Sequence, residues 1–195
     1  MTIDAALDHA EIIVAAEGAG AVTVSEVARR IGMRPPSLYK YFPSLHAIYD
    51  ALFARGNARL VEYVEESVQG LDHGLDRLLT GSRAIVRWSM LNLGLSPLLF
   101  WRPIPGFVPS PESYALAEQM VAGFREDLRA AAHAGDLDAT ADSDETLRLL
   151  TAILAGIGSQ QVANEPEASY DDGIFTTLTD RALAMFVDQH RKGRS

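Results

Sequence analysis

The chain has 195 residues, of which 48% are hydrophobic, and no cysteine. That length and apolar share support a buried core and exclude wholesale disorder, while the missing thiols exclude disulfides, thiolate catalysis and cysteine-ligated metal and fit a reducing, cytoplasmic setting. A net charge of −9 argues against indiscriminate coating of nucleic acid, and the 14 uncharged residues from Trp88 to Trp101, with Pro97 among them, are too few to span a bilayer.

Residues 1–22 carry Asp4, Asp8, Glu11 and Glu17 with no lysine or arginine, so no signal peptide is expected. Ala6, Ala10, Ile13, Val14 and Glu17 recur at helical steps and predict a helix over 5–17, ended by "EGAGAV". Thr23 and Glu26 then form a T-x-x-E capping box, and Val22 and Val27 stand where a hydrophobic staple packs. The helix they open runs through "VSEVARRI" and stops at Gly32.

"MRPPSLYKYF" follows. Proline lacks an N–H and has a nearly helical φ, so it suits a first turn, where the N–H groups have no partner inside the helix. The spacing predicts a second short helix beginning at Pro35 or Pro36, with Arg34 as the cap residue. Ser37, Lys40 and Tyr41 fall on one side of it, Leu38 and Phe42 on the core side, and Tyr39 on the flank. Two short helices joined by a glycine-containing turn make a helix-turn-helix, whose second helix enters the major groove. The window 27–49 supports this reading, because it carries Arg29, Arg30, Arg34, Lys40 and His46 and no acid. The alternative for Tyr39 and Tyr41 is partial burial with a bonded hydroxyl.

Pro43-Ser44 ends that helix, and Ser44 caps "LHAIYDALFARGNARLVEYVEESV", with a break expected near Gly56-Asn57. Further helices are predicted over 74–95, 112–134, 143–163 and 173–191. Between the first two lies "SPLLFWRPIPGFVPSPES", where prolines 103, 105, 109 and 111 forbid a continuous helix. No strand-like alternation is present, so the fold class is all-α.

The stretch "TVSEVARRIGMRPPSLYKYFPSLHAIYDAL" resembles the DNA-binding domain of TetR-family transcriptional regulators. Leu38, Tyr39 and Phe42 match the family's L-Y-x-x-F signature, Gly32 its turn glycine and Thr23 its cap. The likeness covers 5–55 by motif and the remainder by helical layout and length. It implies an N-terminal three-helix DNA-binding domain over 1–50 and a helical ligand-binding and dimerisation domain over 51–195. It also implies a repressor that binds a palindromic operator as a homodimer and is released by a small hydrophobic effector. Thr23, Ser25, Arg34, Pro36, Ser37, Tyr39, Lys40 and Tyr41 are the expected DNA-binding residues. Tyr39 and Tyr41 would meet the backbone, and Pro36, Ser37 and Lys40 would approach the bases. Two departures stand out: Arg34 replaces a small polar cap, and Leu45 replaces a lysine that would reach a phosphate.

Trp88, Met90, Phe100, Trp101, Phe107, Tyr114, Met120 and Phe124 gather around the Pro-rich connection, either as a pocket for an apolar ligand or as an ordinary aromatic core. Arg87 and Arg102 flank them. For self-association, Ala152, Ala155, Gly156 and Ser159 would admit a neighbouring helix, and Phe175, Leu178, Ala182, Met185 and Phe186 form a stripe beside them. No P-loop, Rossmann glycine pattern, G-x-S-x-G or H-E-x-x-H occurs, and the five histidines lack metal-ligand spacing, so no enzyme, metal or cofactor is expected. The competing reading is a helical dimeric interaction module that keeps this fold without operator binding.

Overall fold

The computed structural model describes residues 2–101 and 103–191; Arg102 and the basic tail 192–195 lie outside them. The described residues form α1 (Thr2–Glu17), α2 (Val24–Arg30), α3 (Pro35–Leu38), α4 (Leu45–Ser67), α5 (Leu75–Leu91), α6 (Ser96–Phe100), α7 (Pro111–Ala134), α8 (Asp144–Asn164) and α9 (Thr179–Gln189), with short 3₁₀ turns at Ala19–Ala21, Ala139–Ala141 and Thr176–Leu178. No strand occurs among them.

Two compact units emerge, one of Met1–Arg59 with Asn92–Leu116 and the other of Leu60–Leu91 with Ala117–Ser195. The expected boundary at residue 50 falls inside α4. The first unit also takes in the Pro-rich connection, which sequence reasoning placed in the regulatory domain. Its core joins Ala10 and Ile13 of α1, Val27 of α2, Leu38 and Phe42 around α3, and Ile48 and Leu52 of α4, all buried. In the second unit α5, α8 and α9 pack together, with Leu78, Leu150, Leu154, Leu183 and Phe186 inside.

Four expectations need correction. The first is the break near Gly56-Asn57, since α4 is continuous there. Gly56 lies so close to Leu99 that a Cβ would sit 2.5 Å from its Cδ1, and Asn57 donates its side-chain amide back to the Phe53 carbonyl at 3.1 Å. The glycine serves close packing, and the asparagine bonds within its own helix.

The second is α5, which stops at Leu91, after which Ser96–Phe100 forms a helix of its own. Pro97 sits in the first turn of α6, where its missing N–H costs nothing.

The third is α9, expected from 173 but beginning at Thr179. The buried Gln161 carboxamide oxygen accepts the Phe175 and Thr176 N–H groups at 2.9 and 3.2 Å, which holds that segment out of the helix.

The fourth is the capping box, of which only half forms. Thr23 Oγ1 accepts the Glu26 N–H at 3.1 Å, but the Glu26 carboxylate turns to Arg29 and Arg30.

Candidate nucleic-acid interface

The turn before α3 is a Schellman motif. Gly32, at φ 70°, donates to the Arg29 carbonyl at 3.2 Å and Met33 to the Ala28 carbonyl at 2.8 Å. The left-handed residue redirects the chain so that α3 begins at Pro35, with Arg34 extended before it (φ −80°, ψ 140°). Neither proline has an N–H, and the first amide that does, Ser37, bonds the Arg34 carbonyl at 2.9 Å. The first turn therefore has no donor for a cap to satisfy, which is why arginine is tolerated at a position that favours small polar side chains.

The helix is only Pro35–Leu38. It unwinds into turns at 39–41, while Tyr41 and Phe42 still donate to the Leu38 carbonyl at 2.9 and 3.0 Å. Leu38 and Phe42 are buried and anchor the tip from beneath. Above them Tyr39 is 50% and Tyr41 47% exposed, Arg34, Pro36 and Lys40 are exposed, and Ser37 is half-buried. Thr23 and Ser25, at the start of α2, are exposed as well.

The four arginines and lysines of the acid-free window are not equivalent. Glu26 binds Arg29 at 2.7 and 2.8 Å and Arg30 at 2.7 Å, and Arg30 also reaches Glu17 at 2.9 Å. Hydrogen bonds from Arg29 and then Arg30 hold the Glu26 carboxyl down at about 2, and Glu26 in turn raises both guanidinium groups. Among the described residues Arg34 and Lys40 form no ion pair. The available positive charge therefore sits at the proline-led tip.

The helix that follows the tip, α4, is held from two sides. Ser44 accepts the Ala47 N–H at 3.1 Å and starts α4, and the buried Tyr49 hydroxyl donates to the Ala19 carbonyl at 2.7 Å. On the other side lies the 96–114 segment. Phe107 packs against the rings of His46 and Tyr49, both with centroids 5.9 Å away, and Tyr114 stacks on Phe53. Asp50 accepts the Ser110 N–H at 2.7 Å and the hydroxyls of Ser110 and Ser113 at 2.8 and 2.9 Å. Burial would raise the Asp50 carboxyl, but these three hydrogen bonds together bring it below its ordinary value. Sequence reasoning missed Asp50. The S-P-x-S spacing of 110–113 marks a helix start, but nothing local points to a carboxylate 60 residues earlier.

The eight aromatic and methionine residues are divided between the two units. Phe107 and Tyr114 cover α4, Phe100 is half-buried and Trp101 exposed in the first unit, while Trp88 and Met90 are buried in the second. Met120 and Phe124 line a small cleft with about 20 Å³ of free space, together with Val64, Val68, Gly81, Glu65, Arg77 and Asp127. At its polar end the buried Asp127 meets His73 at 2.5 Å and Arg77 at 3.6 Å. Burial raises the Asp127 carboxyl, with the bond and charge of His73 and the charge of Arg77 opposing. Arg87 stacks on Tyr170 at 4.2 Å and pairs with Asp171 at 2.9 Å, which occupies its guanidinium within the fold.

Along α8 and α9, Ala152, Gly156, Leu178 and Met185 are exposed, and Ala155, Ser159, Phe175 and Ala182 half-buried. Phe186 is a correction. It is 3% exposed and packs on the His190 ring inside its own unit, so it is not on the outer face. Leu149 and Ile174 are exposed beside these residues and were not anticipated. Among the described residues no cluster suits a metal ion, and no helix is long and apolar enough to cross a membrane.

Residues 6–52 match the family model described as bacterial regulatory proteins, tetR family. An HTH-type transcriptional regulator of Mycobacterium tuberculosis is 26% identical over 128 residues, which cover 64% of this chain and 55% of that relative. The chain thus spans about half the length of that curated relative. A bacterial regulatory protein in the tetR family from Rhodococcus RHA1 superposes with a TM-score of 0.74 at 17% identity over 99% of this chain and 98% of the other. The transcriptional regulator FadR of Bacillus subtilis, solved in complex with stearoyl-CoA, gives 0.67 at 15% identity over 94% and 97%. At those identities the likeness to solved structures speaks for the fold.

Proposed function

We propose that this chain, whose residues 6–52 match the family model described as bacterial regulatory proteins, tetR family, acts in the cytoplasm as a repressor that binds a palindromic DNA operator as a homodimer and leaves it when an apolar small molecule binds. One observation carries the DNA reading: the tip that presents Tyr39, Lys40 and Tyr41 is exposed, anchored from below, and carries the two unpaired cations Arg34 and Lys40. Hydroxyls and cations at a helix start suit phosphate and base-edge contacts. A single tip offers little contact area, so two are needed, about 34–36 Å apart on successive turns of the duplex. The exposed apolar and small residues of α8 and α9 support pairing through that face, where two helices from each chain would make a four-helix bundle.

The stearoyl-CoA held by the Bacillus subtilis neighbour supports an apolar effector. An effector releases DNA only to the extent that it binds the non-reading state more tightly. Selection of bound fragments from random duplexes tests the proposal. A recovered palindrome whose binding weakens steeply with salt supports it. Salt-insensitive binding with no preferred sequence selects instead the interaction-module reading, which the neutralised Arg29 and Arg30 and the apolar Leu45 favour.

A further inference from the structure

The two arginines at the end of α2 are held unequally. The Arg30 side chain is 23% exposed and lies between two carboxylates, Glu26 at 2.7 Å and Glu17 at 2.9 Å. The Arg29 side chain is 71% exposed, and among the described residues its carboxylate partner is Glu26, which it grips at two points, 2.7 and 2.8 Å. Arg29 stands four residues after Ser25, so the two share one side of α2 a turn apart. Ser25 is exposed and is one of the residues expected to meet DNA. The Arg29 backbone is fixed, because its carbonyl accepts the Gly32 N–H in the turn before α3. Only the side chain has to turn for the guanidinium to leave Glu26.

A DNA phosphate offers that guanidinium the same two-point fork as a carboxylate. Arg29 cannot fork onto both at once, so the two acceptors compete for one cation. We propose that Glu26 is a positioning residue that withholds Arg29 from DNA, an internal carboxylate that competes with a backbone phosphate and sets operator affinity below what α2 and the tip could reach together. The inference rests on the operator binding proposed above. It differs from simple repulsion between the Glu26 charge and DNA, which would act with or without Arg29.

The test is a double-mutant cycle on the full chain, titrated at two salt concentrations against the palindromic duplex recovered by selection. Glu26→Gln is expected to raise affinity about fivefold or more and to steepen the salt dependence by about one per protomer, as Arg29 neutralises a further phosphate. Arg29→Ala alone should change affinity by less than about twofold, and Glu26→Gln/Arg29→Ala should show no gain over it. In Glu26→Gln the Thr23 hydroxyl still caps α2 and Arg30 still meets Glu17. Should that variant nevertheless fail to fold, Glu26→Asp takes its place. It keeps the charge but shortens the reach, and a gain of about twofold that vanishes with Arg29→Ala is expected. A gain that survives without Arg29, or no gain in the folded variant, overturns the withholding alone. Failure of the natural chain and the variants to bind any duplex overturns the operator reading together with it.

Discussion

The Tyr49 hydroxyl donates to the Ala19 carbonyl at 2.7 Å in the buried centre of the first unit, joining α4 to the turn that closes α1. Tyr49→Phe leaves that carbonyl buried without its donor and is expected to cost about 1–3 kcal/mol. Burial raises the Tyr49 hydroxyl above its ordinary value of 10.0. A raised acid favours the neutral form in the fold, so its contribution is complete below pH 10 and is lost as pH rises through the folded value. Denaturant titrations across pH 8 to pH 11 check both points, because the variant should start lower and lose less on the alkaline side.

Glu26 predicts the opposite limb. Its carboxyl falls from 4.5 to about 2 because Arg29 and Arg30 bond the ionised form. That stabilisation is present above pH 4.5 and is lost progressively as pH falls towards 2. Glu26→Gln should flatten the acid limb of a melting-temperature profile. An unchanged limb would mean that the arginine pairs form no stabilising link in solution.

At the tip, side chains of different role should separate in a binding titration at two salt concentrations. Lys40→Ala is expected to cost about 1–3 kcal/mol on the preferred duplex and to relax base preference. Tyr39→Phe should weaken preferred and scrambled duplexes alike, and Arg34→Ala should lower the salt slope by about one. If all three variants bind as the natural chain does, the contact face lies elsewhere.

Met185 is 66% exposed in the protomer and lies on the proposed pairing face. Met185→Asp should leave the folded protomer intact, because little is buried there to lose, yet shift sedimentation from dimer to monomer. Operator affinity should fall with it. A dimer of undiminished stability would place the interface on another surface.

Gly94 and Gly20 make a paired stability test. A Cβ on Gly94 would sit 2.6 Å from the Glu11 carbonyl oxygen, a backbone atom that cannot step aside, whereas one on Gly20 would meet nothing within 4 Å. Gly94→Ala is expected to destabilise by about 1–3 kcal/mol by chemical denaturation. Gly20→Ala should stay within about 0.5 kcal/mol of the natural chain.

Helix ends were legible in the sequence because they are local events. The hydroxyls of Thr23 and Ser44 satisfy amides three residues on, Gly32 supplies the left-handed turn, and the prolines at 35 and 36 remove the donors that a cap would otherwise serve. The exposed tip followed from the same reasoning, since Leu38 and Phe42 could face inward only if Tyr39, Lys40 and Tyr41 faced out.

Contacts between distant residues left no such trace. Glu26 could have closed a capping box as readily as it binds arginines. The Pro-rich aromatic run read as either a pocket or a core, and its Phe107 and Tyr114 pack on α4, while Phe186 shares its stripe with Met185 yet points into the core. Periodicity says which residues share a helix face; which neighbour covers that face depends on the packing of elements far apart in the chain. That is why hydrogen bonds spanning a few residues explain the start of α3, while the clasp of Asp50 on Ser110 and Ser113 became visible only when the chain was folded.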